Sequence, residues 1–439
     1  MKKVVKFGGS SLASAAQFEK VGKIIRSDEG RRYVIPSAPG KRNSGDKKVT
    51  DMLYACYALA EAGKNFEAQL ADIKARYDEI ITGLKLDFSL SEDFKEIEKR
   101  FKDKAGKEYA ASRGEFLNGK IMAQYLGYTF VDPATVVCFT KNGDFDAEKT
   151  NEKMSAKLAK TEKAVIPGFF GAKPDGSIKT FSRGGSDITG SIVARAVKAD
   201  VYENWTDVSG FMIADPRIIN KPQSIEIITY TELRELAYMG ASVLHEDSIF
   251  PVRKEGIPIN IRNTNKPEDE GTWIVESTAR KSKYTITGIA GKKGFCCVNI
   301  SKDMMNSEIG FVRKVLQAFE DHDISIEHVP SGIDTMTVFV HEDDFISKEQ
   351  AVVSEIHRLA KPDMLEIESD LGLIAVVGRG MKSTRGTAGR IFSALAHANV
   401  NVRMIDQGSS ELNIIIGVEN RDFEKAISAI YDIFVETQL

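Results

Sequence analysis

Cysteine is scarce in this chain: there are four in 439 residues, two of them adjacent as Cys296-Cys297. That spacing fits neither a zinc site nor a disulfide framework, so the cysteines read as small hydrophobes in a reducing cytoplasm. Long apolar runs are missing as well. The stretch after Lys2-Lys3 is broken at Lys6 and then by glycine, so no signal-peptide core forms, and no later run approaches a membrane span. Nor does charge of one sign dominate. Sixty basic residues against 63 acidic ones leave a net charge of −3, which excludes a broad nucleic-acid surface and makes any useful cation a local one. The six histidines, His245 and His397 among them, read as packing or surface groups, and no nucleophile triad is recognisable. What the chain does have is 42% apolar residues, ample to fill the two or three domains expected at this length.

Lys6-Phe7-Gly8-Gly9-Ser10-Ser11 follows the apolar pair Val4-Val5, so a lysine, two glycines and two hydroxyls stand where a strand ends. Glycines there let backbone N–H groups approach an anion and the ammonium adds a point charge, which suits a polyphosphate such as ATP. The lysine precedes the glycines, so this is not a Walker A loop. A second double-glycine turn, Ser182-Arg183-Gly184-Gly185-Ser186-Asp187, precedes Ile188, Ile192, Val193 and Ala196, one face of a helix. Helix dipole, free N–H groups and a guanidinium suit a carboxylate or phosphate, and Asp187 balances a nearby cation. Thr206-Asp207-Val208-Ser209-Gly210, running on through Met212 to Asp215-Pro216-Arg217, joins a strand-like stretch to a polar loop, the usual place for a nucleotide contact. Taken singly, each segment also reads as an ordinary turn or helix cap.

Along the chain, strands are expected at Lys3 to Phe7 and Tyr33 to Ile35, alternating with helices at Ala15 to Ile25 and Asp51 to Ala62. The loop Pro39 to Lys48 is basic and reads as a solvated flap. Leu70, Ile73, Tyr77, Ile80, Ile81 and Leu84 recur at helical spacing, and a charged helix follows from Ser91 to Lys107. Further strands are expected at Thr129 to Val131, Ala164 to Phe170, Val201 to Trp205 and Ile257 to Arg262. The polar, turn-rich stretch from Asn263 to Thr272 reads as a domain boundary. Beyond it, shorter units occur twice in a βαββαβ-like order, which predicts paired ferredoxin-like modules lacking the aromatic pairs of an RNA-reading sheet.

Together these segments resemble the aspartokinases of the amino-acid kinase family. Lys-Phe-Gly-Gly-Ser-Ser, Arg-Gly-Gly-Ser-Asp and Thr-Asp-Val-x-Gly with a following Asp-Pro-Arg occur in the family's order. Val34-Ile35-Pro36-Ser37-Ala38 is similar to its Ser-Ala turn, Val49-Thr50-Asp51 to its substrate threonine, Arg113-Gly114-Glu115 to its Gly-Glu element, and Met404 to Ile414 to its regulatory tail. The resemblance implies an α/β fold: a three-layer α/β/α catalytic domain over 1–275, then two ferredoxin-like ACT domains, 293–369 and 370–439, with a strand at 284–290 added to the second. The implied reaction moves the ATP γ-phosphoryl group to the side-chain carboxylate of L-aspartate, the first step towards lysine, threonine and methionine. Glutamate 5-kinase and uridylate kinase share the nucleotide fold without explaining paired ACT modules. An inactive amino-acid sensor leaves Lys6, Glu115, Arg183 and Asp187 unexplained.

By the same resemblance, Lys6 and the amides of Gly8, Gly9 and Ser10 hold phosphates, and Asp187 orients Lys6. Arg183 pairs with the substrate α-carboxylate and Glu115 receives the α-ammonium. Ser37, Thr50 and Ser186 bond the remaining oxygens beside Gly184 and Gly185. Thr206, Asp207, Met212, Arg217 and Ser242 border the nucleotide. Relatives carry tyrosine at the place of Met212 and lysine at that of Ser242, so backbone contacts are expected there. Mg²⁺ is held mainly by the nucleotide phosphates, with no protein metal site. The ACT modules imply a homo-oligomer and an amino-acid effector. Lysine is expected near Gly310, Phe311, Val312, Ile326 and Glu327, with threonine as the alternative because Val329 to Asp334 departs from the lysine-sensitive pattern. No extension past Leu439 is long enough for a fused homoserine dehydrogenase, so a monofunctional, cytoplasmic enzyme is expected.

Overall fold

The computed structural model describes every residue except 183, 242, 243, 245–247, 281, 438 and 439. The chain forms two compact units. The first holds Met1–Phe211, Ser224–Tyr230 and Val243–Thr278, and the second holds Met212–Gln223, Thr231–Ser242 and Ala279–Leu439.

The strands of the first unit are β1 (Lys3–Phe7), β2 (Arg31–Pro36), β3 (Thr129–Phe130), β4 (Ala164–Val165), β5 (Phe170–Ala172), β6 (Ile178–Thr180), β7 (Val201–Thr206), β8 (Ile227–Thr229), β9 (Ile259–Asn263) and β10 (Thr272–Val275). Eight of them form one sheet in the order β3-β4-β2-β1-β7-β9-β10-β8, while β5 and β6 pair separately. Strand β1 runs parallel to β2 on one side and β7 on the other. The chain first builds outward through β2 and later returns to the opposite side of β1 as β7. The carboxyl end of β1 is therefore the switch point where an α/β sheet opens a ligand crevice. Period-two alternation sends Val5, Phe7 and Trp205 into one core, packed with Phe18, Leu53, Cys56 and Leu117 from covering helices. Lys6 points to the other face.

Several expectations change here. The stretch from Asn263 to Thr272 is no boundary: it is the turn between antiparallel β9 and β10, inside the first unit. Ala164 to Phe170 breaks into β4 and β5, because Pro167 lacks a ladder N–H and Phe169 takes a φ of 81°. The charged helix ends at Lys102, and a separate helix, Lys107–Leu126, starts after Gly106 at φ 99°. The basic loop is tied down as well as solvated. Asp46 holds Arg42 at 3.0 Å and the buried Arg76 at 2.9 Å, and Arg76 also bonds the Gly40 carbonyl at 3.1 Å.

In the second unit, β11 (Gly288–Ser301), β12 (Ile326–His328), β13 (Thr335–His341), β14 (Met364–Val377), β15 (Met404–Asp406) and β16 (Asn413–Glu419) form one sheet in the order β12-β13-β11-β14-β16-β15. The two repeats share this sheet because β11 and β14 each run through both, and the expected boundaries at 293 and 370 fall inside these strands. Helices Phe311–Glu320 and Glu349–Ala360 cover Cys296, Val298, Ile300, Met336, Val338 and Val340 on one face. The sheet coils until its outermost strands meet: His328 Nδ1 on β12 lies 2.7 Å from Asp406 Oδ2 on β15. No described helix is long and apolar enough to cross a membrane. All four cysteines are buried and none is in a disulfide.

Candidate active site

Lys6 faces Asn204 across the β1–β7 ladder, one residue short of the end of β1. Its ammonium lies 2.6 Å from Asp187 Oδ1 and 3.5 Å from Asn204 Oδ1, and Asn204 Nδ2 donates to Asp187 Oδ1 at 2.8 Å. The three side chains form a closed triangle that fixes the lysine head. Asp187 comes from the first turn of the helix Gly185–Ala196, which Gly184 caps at φ 58°. That helix packs hard on β7: a Cβ on Gly190 would stand 2.4 Å from the Tyr202 hydroxyl, which donates to the Asp187 carbonyl at 3.1 Å.

After β1 the chain turns through Gly8, Gly9 and Ser10 into a short 3-10 turn, Gly9–Leu12, closed underneath by Ser11 Oγ against Thr264 Oγ1 at 2.8 Å. Here glycine is a steric requirement. A Cβ on Gly9 would lie 2.8 Å from the Ala38 carbonyl, and one on Gly40 would lie 2.6 Å from Gly9 C. The turns after β1 and β2 thus interlock backbone to backbone, with Gly40 N–H on Gly9 O at 2.8 Å and Ser37 N–H on Phe7 O at 3.1 Å.

On the far side of the Ser37-Ala38 turn lies Glu115, on the helix Lys107–Leu126. Its side chain is 6% exposed, and Oε2 has no hydrogen-bond partner among the described residues. Burial pushes its pKa up to about 7, against the pull of the Ala38 and Glu115 backbone N–H groups. One turn on, Asn118 Nδ2 donates to the Ser37 carbonyl at 2.6 Å, while Asn118 Oδ1 is buried without a partner among the described residues. Thr50 belongs to the same wall: a Cβ on Gly114 would find Thr50 Oγ1 at 3.6 Å and Ala38 Cβ at 2.8 Å. Ser186 is packed under Gly168, whose added Cβ would sit 2.6 Å from it. Arg113, two residues before Glu115, is buried among the rings of Tyr109, Phe116 and Phe170 at 4.6, 4.3 and 5.3 Å.

The first unit therefore gathers Lys6, Gly8, Gly9, Ser10, Ser37, Thr50, Glu115, Gly184, Gly185, Ser186 and Asp187 around the carboxyl ends of β1, β2 and β7. Thr206 and Asp207 leave β7 beside them, joined by a 3.2 Å hydrogen bond. Met212 and Arg217 belong to the second unit, where exposed Arg217 is paired with Asp215 at 2.6 Å. Arg183, Ser242 and His245 lie outside the described residues. No group of three His, Cys, Asp or Glu residues able to hold a metal occurs among the described residues. Asn204, Asn118 and Gly40 were not anticipated. A lone asparagine in the apolar strand Val-Tyr-Glu-Asn-Trp was the one local signal for the first of them.

In the sheet of the second unit, Gly310 at φ 82° caps the helix that begins with buried Phe311, and Val312 is exposed. Ile326 packs on the helix side. Its neighbour Glu327 accepts from the Tyr238 hydroxyl at 2.7 Å and has His341 Nε2 at 3.7 Å.

The model of the amino acid kinase family matches residues 1–263, and that of the ACT domain matches 374–434. The chain is 40% identical over 452 residues to Aspartokinase 3 of Bacillus subtilis, covering 98% of both sequences. It superposes on the crystal structure of Clostridium acetobutylicum aspartate kinase, described as an allosteric enzyme, with a TM-score of 0.90 and 51% identity over 99% of this chain and 100% of that one. Escherichia coli aspartokinase III, solved with aspartate and ADP, shares the fold at a TM-score of 0.73 and 24% identity, over 98% of this chain and 99% of its own.

Proposed function

This chain belongs to the amino acid kinase family, as an aspartate kinase, and from that premise we propose which of its side chains carry the transfer. The β-carboxylate of aspartate is ionised at neutral pH and is itself the nucleophile, so no general base is needed. One carboxylate oxygen forms a bond to the γ-phosphorus of ATP as the bond to the bridging oxygen breaks, and ADP leaves with that electron pair. The chain's task is to hold two anions together and offset charge on the transferring group. Lys6 is the catalytic cation. Asp187 and Asn204 are positioning residues that aim it, and the N–H groups of Gly8, Gly9 and Ser10 receive phosphate oxygens. Mg²⁺ carried by the nucleotide phosphates supplies further neutralisation.

Glu115 takes the aspartate α-ammonium, Arg183 its α-carboxylate, and Ser37, Thr50 and Ser186 the remaining oxygens, with Gly184 and Gly185 in the same turn. Thr206, Asp207, Met212, Arg217 and Ser242 border the nucleotide. The observation that carries this reading is the Lys6–Asp187–Asn204 triangle at the mouth of the glycine turn. Release of ADP with a panel of amino acids, with the acyl phosphate trapped by hydroxylamine, tests it. Aspartate alone is expected to give hydroxamate; turnover with glutamate or a nucleoside monophosphate in its place overturns the assignment.

The regulatory half of the proposal is that lysine, bound near Gly310, Phe311, Val312, Ile326 and Glu327, inhibits the cytoplasmic enzyme as a homo-oligomer. Glu327 lies on an edge strand with its carboxylate held by the Tyr238 hydroxyl, and Met304, Ile309 and Ile333 are each exposed. Inhibition must work through different affinities for two states, so lysine should weaken aspartate or ATP binding reciprocally. Activity unchanged at millimolar lysine, in parent and Glu327→Ala alike, rejects lysine; inhibition by threonine instead would move the effector.

A further inference from the structure

Asn118, on the helix Lys107–Leu126, is fully buried. Its Nδ2 donates to the Ser37 carbonyl at 2.6 Å, and the Ala38 N–H pulls on the carboxyl of Glu115, one turn earlier on the helix. That carbonyl and that N–H are the two edges of one peptide group, Ser37–Ala38, so one stretch of helix addresses both. Two close approaches seat the helix there. A Cβ on Gly114, just before Glu115, would lie 2.8 Å from Ala38 Cβ, and one on Gly119, just after Asn118, would lie 2.3 Å from Pro167 Cγ. From the strand side the same turn is tied to the phosphate-binding turn, with Ser37 N–H on Phe7 O at 3.1 Å and Gly40 N–H on Gly9 O at 2.8 Å.

A buried amide costs free energy unless its polar atoms are bonded, and Asn118 Oδ1 has no partner among the described residues. The residue is therefore a poor choice for stability alone. What it does hold is the Ser37 carbonyl, and through it the peptide that lies against Glu115. Without Nδ2 that carbonyl loses this donor, and the turn is free to shift along the helix, carrying the Ala38 N–H away from the Glu115 carboxyl. The phosphate-binding turn, held through Phe7 and Gly9, then no longer keeps a set distance from Glu115. We propose that Asn118 is a positioning residue for aspartate: by clamping the Ser37–Ala38 peptide it fixes the α-ammonium site at Glu115 relative to the phosphate-binding turn. This rests on Glu115 being the ammonium site. Asn118 touches no reacting atom, and its influence reaches the substrate through Glu115. A misplacement of about 1 Å away from the chemistry can cost on the order of 10² in rate, so such a clamp is worth a buried asparagine.

Asn118→Ala and Asn118→Leu both remove the donor, the first leaving space and the second filling it, so agreement between them excludes side-chain volume as the cause. In steady-state ADP release by the full chain, each should raise the aspartate Michaelis constant by about tenfold or more and leave that for ATP within about twofold of the parent. A double-variant cycle with Glu115→Gln separates positioning from plain support. If Asn118 acts through Glu115, its loss should change the aspartate constant by less than about threefold once residue 115 is glutamine, whereas a structural residue gives the same factor in both backgrounds. Parental constants in both variants, equal rises for aspartate and ATP, or equal factors in the cycle overturn the proposal and leave the kinase reading intact. An aspartate constant that Glu115→Gln leaves at the parental value overturns it together with the assignment of Glu115, while the parent's hydroxamate product still identifies the reaction.

Discussion

Glu115 and Glu203 are both buried carboxylates of the first unit, 6% and 1% exposed, and their surroundings are opposite. Glu203 on β7 accepts from Arg31 Nε at 2.8 Å, Lys3 Nζ at 2.9 Å and Trp205 Nε1 at 2.8 Å. Burial pushes its pKa up, but Arg31 and Lys3 outweigh that and hold it below the usual value. Among the described residues Glu115 has one oxygen without a partner, and burial carries it to about 7 against the pull of two backbone N–H groups. A fully paired buried charge is a completed piece of structure. An unpaired one has a cost that persists only if something outside the chain supplies the partner. Residues 203 and 204 repeat the contrast within one strand. Glu203 turns towards the sealed core, while Asn204, its neighbour, turns towards Lys6 and the crevice.

The largest effect should come from the sealed side. Glu203→Ala leaves Arg31 buried without its carboxylate, and breaking such a pair typically costs about 3–5 kcal/mol. Urea unfolding should register that loss, while the folded fraction keeps parental Michaelis constants for aspartate and ATP. A loss below about 1 kcal/mol would break the contrast.

Lys6→Ala comes next and acts on rate. One electrostatic contact to a transferring group is commonly worth about 3 kcal/mol, so kcat/KM should fall by about 10²–10³, with less loss of stability than Glu203→Ala. Steady-state ADP release at saturating aspartate checks it, and retained turnover would remove Lys6 from the reaction. Glu115→Gln should act through binding. It exchanges a charge-assisted bond for a neutral one, about 1.5–3 kcal/mol, which raises the aspartate Michaelis constant roughly ten- to a hundredfold and leaves that for ATP nearly unchanged. Equal changes in both constants would assign Glu115 to the nucleotide instead.

How much of this was legible from residue order divides along physical lines. Lys6, the double glycines and Asp187 could be read because their chemistry is local: a cation and bare backbone at a strand end already specify an anion. The helix Lys107–Leu126 could not, because it is buried on nearly every side and so lacks the polar stripe that marks a helix. Gly40 had no signature, since it must be glycine only because Gly9 lies against it in the fold. A strand is expected at 284–290, whereas β11 starts at Gly288 and runs on to Ser301. Gly294 at φ 88° makes a bulge, and pairing with β14 resumes at Phe295.

The pH dependence of the unliganded enzyme sharpens the comparison further, because the two carboxylates act with opposite sign. Glu115 titrates at about 7 in the folded chain against 4.5 as an ordinary glutamate, so between those values the native state holds a proton that the unfolded chain has released. Stability from this group is therefore largest at low pH, falls as pH rises through that window, and is gone above about 7. Glu203, lowered by its cations, contributes stability that is present above the ordinary carboxylate range and lost as pH falls. Glu115→Gln removes only the first of these terms. Its stability relative to the parent should improve steadily from pH 5 to pH 7.5 and then level off, when urea midpoints are compared at matched ionic strength. The same proton must leave before Glu115 can bind an ammonium, so the parent's aspartate Michaelis constant should rise as pH drops below 7, while that of Glu115→Gln stays flat. Parallel pH profiles for parent and variant would mean that Glu115 is already paired in the folded enzyme.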